Sequence, residues 1–126
     1  MDKMVEQGKK KLLIVDDDTG ISSSYKKALS SDYEVETAST LQEADALIDG
    51  NKYDAILSDL QLTENGEEGY KVIKHARERF GKSVPIVLNS ARASEEITKT
   101  ALESGANFVL KKPVMLKELR EKLAKK

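Results

Sequence analysis

The 126-residue chain contains no cysteine. That absence excludes disulfides, thiolate metal centres and a cysteine nucleophile, and it suits the cytosol. Histidine is nearly absent too: His75 is the sole one, set mid-helix in KVIKHARER, where it reads as a solvated surface residue. No apolar run approaches the roughly 20 residues of a membrane span. The start, MDKMVEQGKKK, has no apolar signal region, so a cytoplasmic protein away from the membrane is the expectation. Charge of one sign is missing as well, because 21 basic and 22 acidic residues leave a net charge of -1. Such a balance gives no general pull toward nucleic acid or membrane. The basic clusters Lys9 to Lys11 and Lys125-Lys126 lack interleaved aromatics and read as solvated termini, so direct nucleic-acid binding is not expected. There is no internal repeat or linker. What is present, 39% hydrophobic and 34% charged residues, describes a soluble globular chain. Its length suits one domain, residues 11–126, behind a flexible tail of residues 1–10.

Within that domain, the stretch KLLIVDDD at Lys11 to Asp18 is the most telling. Leu12 to Val15 form a continuous aliphatic run that only a sheet covered on both faces can bury. The three acids that follow repel one another unless a divalent metal, a lysine or both sit among them. Further strands are predicted at Glu34 to Thr37, Ala55 to Ser58, Ile86 to Asn89 and Phe108 to Lys111. Helical spacing links Ile21, Tyr25 and Ala28, then Leu41, Ala44 and Ile48, then Ile73, Ala76 and Phe80. Ile97 with Ala101, and Leu116 with Leu119 and Leu123, supply a fourth and a fifth helix. Gly50-Asn51, Gly81 and Gly105 close the second, third and fourth helices with residues that accept positive φ, and Ser94 suits a helix start. Five strand-helix rounds argue for an α/β domain with a parallel sheet.

Four polar features then leave the carboxyl ends of the strands together: Asp16, Asp17 and Asp18 after the first, Asp59 after the third, Ser90 after the fourth and Lys112 after the fifth. An Asp after a strand is by itself an ordinary turn residue or cap, and Asp18 reads as the cap of the first helix. Convergence gives the signal, since these groups supply an oxygen cage for a hard dication, a carboxylate nucleophile, a hydroxyl donor and a fixed cation. That set matches phosphoryl transfer onto an Asp. Lys111 is expected to face the surface opposite Lys112.

At these residues the chain resembles the receiver domain of two-component response regulators. The likeness runs over nearly all of 11–126: Asp16-Asp17 after an apolar strand, AILSD ending in Asp59, PIVLNSA with Ser90-Ala91, and GANFVLKKP with Lys112-Pro113. It implies a flavodoxin-like doubly wound (βα)5 fold with a five-stranded parallel sheet in the order 2-1-3-4-5. It also implies that Asp59 accepts a phosphoryl group from the phosphohistidine of a histidine kinase or phosphotransfer protein. Asp17, Asp59 and the main-chain carbonyl of Gln61 would bind Mg²⁺ directly, and Asp16 mainly through a water. Ser90 and Lys112 would each engage a phosphoryl oxygen, while Gln61 and Arg92 would tune how long the group survives. The fourth helix, fifth strand and fifth helix would form an output or homodimer face with Thr98, Lys99, Glu103, Lys111, Lys117 and Glu118. His75 is a poor site for phosphohistidine chemistry.

The chain departs from the family pattern at two places. Thr63 and Glu67 stand where receivers usually have a proline and a glycine, and Gly69 comes two residues late, as a two-residue insertion after Asp59 would produce. Val109 holds the position of the usual switch aromatic, and Phe108 beside it should point to the opposite face. Two other functions fit parts of the pattern. Asp16-Asp17-Asp18-Thr19 resembles the start of haloacid-dehalogenase-type phosphatases, with Asp16 as nucleophile, although Asn89-Ser90 stands where such enzymes carry further acids. A receiver-like interaction module that needs no phosphorylation is the other. The fifth helix is expected to end near Lys126, which suits a free-standing receiver or a piece of a longer regulator or hybrid kinase.

Overall fold

The computed structural model describes residues 9–64, 66–92 and 94–124. Residues 1–8 of the expected tail, and the Lys125-Lys126 pair, lie outside the described residues. In chain order the elements are β1 (Lys10–Val15), α1 (Thr19–Leu29), β2 (Tyr33–Ala38), α2 (Leu41–Gly50) and β3 (Ala55–Asp59). There follow α3 (Glu68–Phe80), β4 (Ile86–Ser90), α4 (Glu95–Ser104), β5 (Phe108–Lys111) and α5 (Leu116–Leu123). The strands pair in parallel, as the alternation predicts, and in the order β2-β1-β3-β4-β5 that the resemblance implies.

Side-chain alternation along the strands divides the core in two. Leu13, Val15, Ile56, Ile86 and Leu88 face α2, α3 and α4, whose Ala44, Ile48, Ile73, Ala76, Ile97 and Ala101 close over them. Leu12, Ile14, Leu57 and Val87 face α1 and α5, covered by Leu29, Leu119 and Leu123. Every residue of β3 and β4 is buried, which is why those strands read as unbroken apolar runs until their polar ends. Among the described residues no helix is long and apolar enough to cross a membrane.

Several local expectations need correction. β1 starts at Lys10, and Lys11 is half-buried between Asn51 and Glu36 with its ammonium 5.4 Å from the Tyr53 ring centre, so it belongs to the sheet and not to a solvated terminus. The buried face of α1 is Ser22 with Leu29, while Ile21 is turned outward to a groove of about 730 Å³ that it shares with Tyr25, Pro113 and Val114. Asn51 closes α2 in extended backbone, its side-chain amide donating to the Leu47 carbonyl, so no positive φ is used there. Gly81 and Gly105 do adopt positive φ. His75 is not free in solvent: its two ring nitrogens lie 2.6 Å from Asp45 and 2.7 Å from Asp49, which ties α3 to α2.

Candidate functional site

Strand register brings the polar ends to one edge. Val15 pairs with Ser58, Asp59 with Asn89 and Ser90 with Lys111, so Asp16, Asp59, Ser90 and Lys112 emerge within about one residue's rise of one another. Asp16 is 2% exposed, its Oδ1 accepting from the Asp18 amide at 2.9 Å. Asp17 is exposed. Asp18 caps α1, its Oδ1 accepting from the amides of Gly20 and Ile21, the role expected of it.

Asp59 is buried at the end of β3, and its Oδ2 accepts from Lys112 Nζ at 2.9 Å. The same ammonium lies 3.7 Å from Asp16 Oδ2. Burial works against the charge on Lys112, but the bond to Asp59 and the fields of Asp59, Asp16 and Asp17 outweigh it and leave its pKa above the ordinary value. For Asp16 burial wins: the Asp18 amide and Lys112 pull its pKa down, yet loss of hydration, helped by Asp59 and Asp17, leaves it raised.

Ser90 is buried, and its Oγ accepts the Arg92 amide at 3.1 Å, so its own proton is left to donate toward a ligand. Lys111 is exposed as expected, and Lys112 is held to β4 by the hydrogen bond its backbone N–H donates to the Ser90 carbonyl at 2.8 Å. A cavity of about 280 Å³ opens here, lined by Asp17, Asp59, Gln61, Thr63, Ala91 and Lys112. It offers a small polar ligand one oxygen-rich wall and one cationic wall.

Carboxylate oxygens from Asp16, Asp17 and Asp59 lie within 4.8 Å of one another. An all-oxygen donor set of this charge fits a hard divalent cation and gives nothing to a soft one. Asp16, by contrast, is poorly placed as the nucleophile of a phosphatase. It is buried, with one oxygen taken by an amide and the other facing Lys112.

Sequence reasoning passed over one part of this edge, the contacts that hold the loop after Asp59. Glu68, in the first turn of α3, accepts from the Leu62 amide at 3.1 Å and from the Thr63 hydroxyl. An acid at a helix start that can reach free amides is the signal that marks it. Gly69 packs on the backbone beneath the site, where an added Cβ would collide with the Asp59 carbonyl and stand 2.7 Å from Leu60 Cα. Val109 packs on the α2-α3-α4 side and Phe108 on the α1-α5 side, with Lys122 4.8 Å from the Phe108 ring centre.

The family described as response regulator receiver domain matches residues 12–124. Over 114 residues the chain is 36% identical to the transcriptional regulatory protein KdpE of Staphylococcus aureus (strain NCTC 8325 / PS 47), covering 90% of this chain and 48% of that protein. Over 110 residues it is 34% identical to response regulator MprA of Mycobacterium sp. (strain KMS), covering 86% of this chain and 46% of that one. The chain thus spans about half the length of these curated relatives. Among solved structures, a CheY-like response regulator receiver domain protein from Methanospirillum hungatei JF-1 superposes with a TM-score of 0.82 at 34% identity, covering 90% of both chains.

Proposed function

The chain belongs to the response regulator receiver domain family, and from that premise we propose that it is phosphorylated on Asp59 by a histidine kinase or a phosphotransfer protein. The single observation that carries the choice of residue is the setting of Asp59. Its buried carboxylate faces a polar cavity, is met by Lys112 at 2.9 Å, and has the oxygens of Asp16 and Asp17 within 4.8 Å.

In the transfer, the donor's P–N bond breaks as a P–O bond forms to an Asp59 oxygen. The bonding pair stays on the imidazole nitrogen, which takes up a proton from solvent. Negative charge on the phosphoryl oxygens must be met where it sits. The Lys112 ammonium would turn from Asp59 to one of those oxygens, and the Ser90 hydroxyl would donate to another. Asp17, Asp59 and the Gln61 carbonyl would hold Mg²⁺ directly, with Asp16 acting through a water. The bound ion supplies charge neutralisation that lets an anionic donor approach three acids. Gln61, which lines the cavity, and Arg92, whose amide donates to Ser90 Oγ, would partly shield the acyl phosphate from water and so set how fast hydrolysis ends the signal.

The face built from α4, β5 and α5 is the proposed output and homodimer surface. Lys99, Glu103, Lys111, Lys117 and Glu118 are exposed there, Thr98 is half-buried, and Leu102 at 49% and Met115 at 72% add exposed apolar area. With Val109 at the switch position and Phe108 packed on the α1-α5 side, Ser90 and the backbone of β4 and β5 would carry the change without an inward-swinging ring. A cytoplasmic location follows from the same reading. Acetyl phosphate with Mg²⁺ should add the mass of one phosphoryl group to the chain, and Asp59→Asn should abolish it. Undiminished labelling of that variant would overturn the assignment.

A further inference from the structure

We propose that Glu68 is a positioning residue that sets the direction of the Gln61 carbonyl and thereby the Mg²⁺ affinity of the site; this rests on the reading above that the Gln61 carbonyl is a metal ligand. The connection between β3 and α3, residues 60–67, contains no proline to restrict it. It is pinned on both sides of Gln61 instead. On one side the Gly69 amide donates to the Leu60 carbonyl at 2.8 Å. On the other the Leu62 amide donates to Glu68 Oε1 at 3.1 Å, and the Thr63 hydroxyl donates to Oε2.

The Leu62 N–H shares a planar unit with the Gln61 C=O, and in a trans peptide the two point in opposite directions. The Gln61–Leu62 peptide is trans. Drawing the Leu62 N–H toward Glu68 therefore turns the Gln61 carbonyl away from α3. Gln61 lines the same cavity as Asp17 and Asp59. Thr63 also lines that cavity, and the turn beyond it is closed by the Gly66 amide on the Thr63 carbonyl at 3.0 Å. The Thr63 hydroxyl, joined against the effect of burial by the amides of Glu68, Leu62 and Thr63, holds the Glu68 carboxyl below its ordinary pKa. Partners that orient a metal ligand without touching the metal commonly govern affinity in this way.

The test is calorimetric titration of the chain with Mg²⁺, alongside the amide NMR signal of Leu62. Glu68→Ala should weaken Mg²⁺ binding about tenfold and shift the Leu62 amide resonance, whereas Glu68→Gln, whose amide oxygen still accepts the Leu62 N–H, should stay within about twofold of the parent. Far-UV circular dichroism of each variant without metal checks that the fold is intact. Unchanged affinity in Glu68→Ala overturns the proposal. Equal loss in Glu68→Ala and Glu68→Gln overturns it too, because carboxylate charge and not carbonyl direction would then be responsible. If Mg²⁺ binding by the parent chain survives Asp17→Asn, the metal reading itself fails and takes this inference with it.

Discussion

Lys112 sits where two demands on one side chain can be separated. Its ammonium is 2.9 Å from Asp59 and 3.7 Å from Asp16, so it neutralises buried acids before any ligand arrives. If Asp59 is the acceptor as proposed, the same cation, already 2.9 Å from its carboxylate, would be in reach of an oxygen of the phosphoryl group in transfer. Lys112→Ala should therefore slow labelling by acetyl phosphate by about 100-fold, the scale of losing one preorganised donor to the transition state. Mg²⁺ binding should not weaken, because the variant removes a positive charge from beside the carboxylates. Parallel rate and titration measurements would show the two effects moving apart, and a matching loss in both would mean that Lys112 merely holds the site together. That Asp16, Asp17, Asp59, Ser90 and Lys112 meet at one edge is legible in the sequence, because each ends or follows an apolar strand and parallel strands deliver their carboxyl ends to one edge. Glu68 was not legible in that way. Its partners Leu62 and Thr63 are fixed by the path of a loop, and no periodicity encodes that path.

Between elements, α2 and α3 are joined by a contact that spacing rules do not reveal. His75 reads as one polar residue in a charged helix, yet its ring lies between Asp45 and Asp49, which α2 places four residues apart on one face. The bond to Asp45 raises the His75 pKa, burial opposes this, and the bond to Asp49 and the charges of both acids add to the rise. A raised native pKa means that the native state holds its proton more tightly than the unfolded chain. The contribution to stability is therefore full below about pH 6.5, the ordinary histidine value, and fades as pH rises through the native one. His75→Ala should lower the stability measured by urea unfolding by about 1 kcal/mol at pH 6, after allowing for solvent screening of these partly exposed groups, and by less at pH 8. A variant whose loss is the same at both pH values would show that packing alone is involved. The helices themselves were legible wherever their apolar residues recur at three and four. In α1 that pattern misled: Ile21 faces the groove beside Pro113 and Val114, and Ser22 takes the buried position, because only contact with the sheet decides which edge of a weak stripe turns inward.

For the molecule as a whole, the fold concentrates unlike charge and apolar surface in separate places. Two aliphatic layers lie on the faces of the sheet, while the acids gather at its carboxyl edge with one lysine among them. Three carboxylates against one ammonium leave that edge with an excess of negative charge, a cost borne in the metal-free state. A dication that binds the folded chain and not the unfolded one returns stability by mass action. At a concentration 100 times its dissociation constant the gain is about 2.7 kcal/mol. For a chain of this length that corresponds to a rise of about 10 °C in the unfolding temperature. Scanning calorimetry with Mg²⁺ and with EDTA should show that rise in the parent chain and none in Asp17→Asn. Without metal, Asp17→Asn should unfold at the same temperature as the parent or slightly higher, because one of three mutually repelling charges has gone while the buried Asp16 and Asp59 keep their lysine. A Mg²⁺-dependent rise that persists in Asp17→Asn would move the ion away from the carboxylate edge. A metal-free Asp17→Asn chain much less stable than the parent would mean that Asp17 is held by the fold for its own bonds and not for the ion.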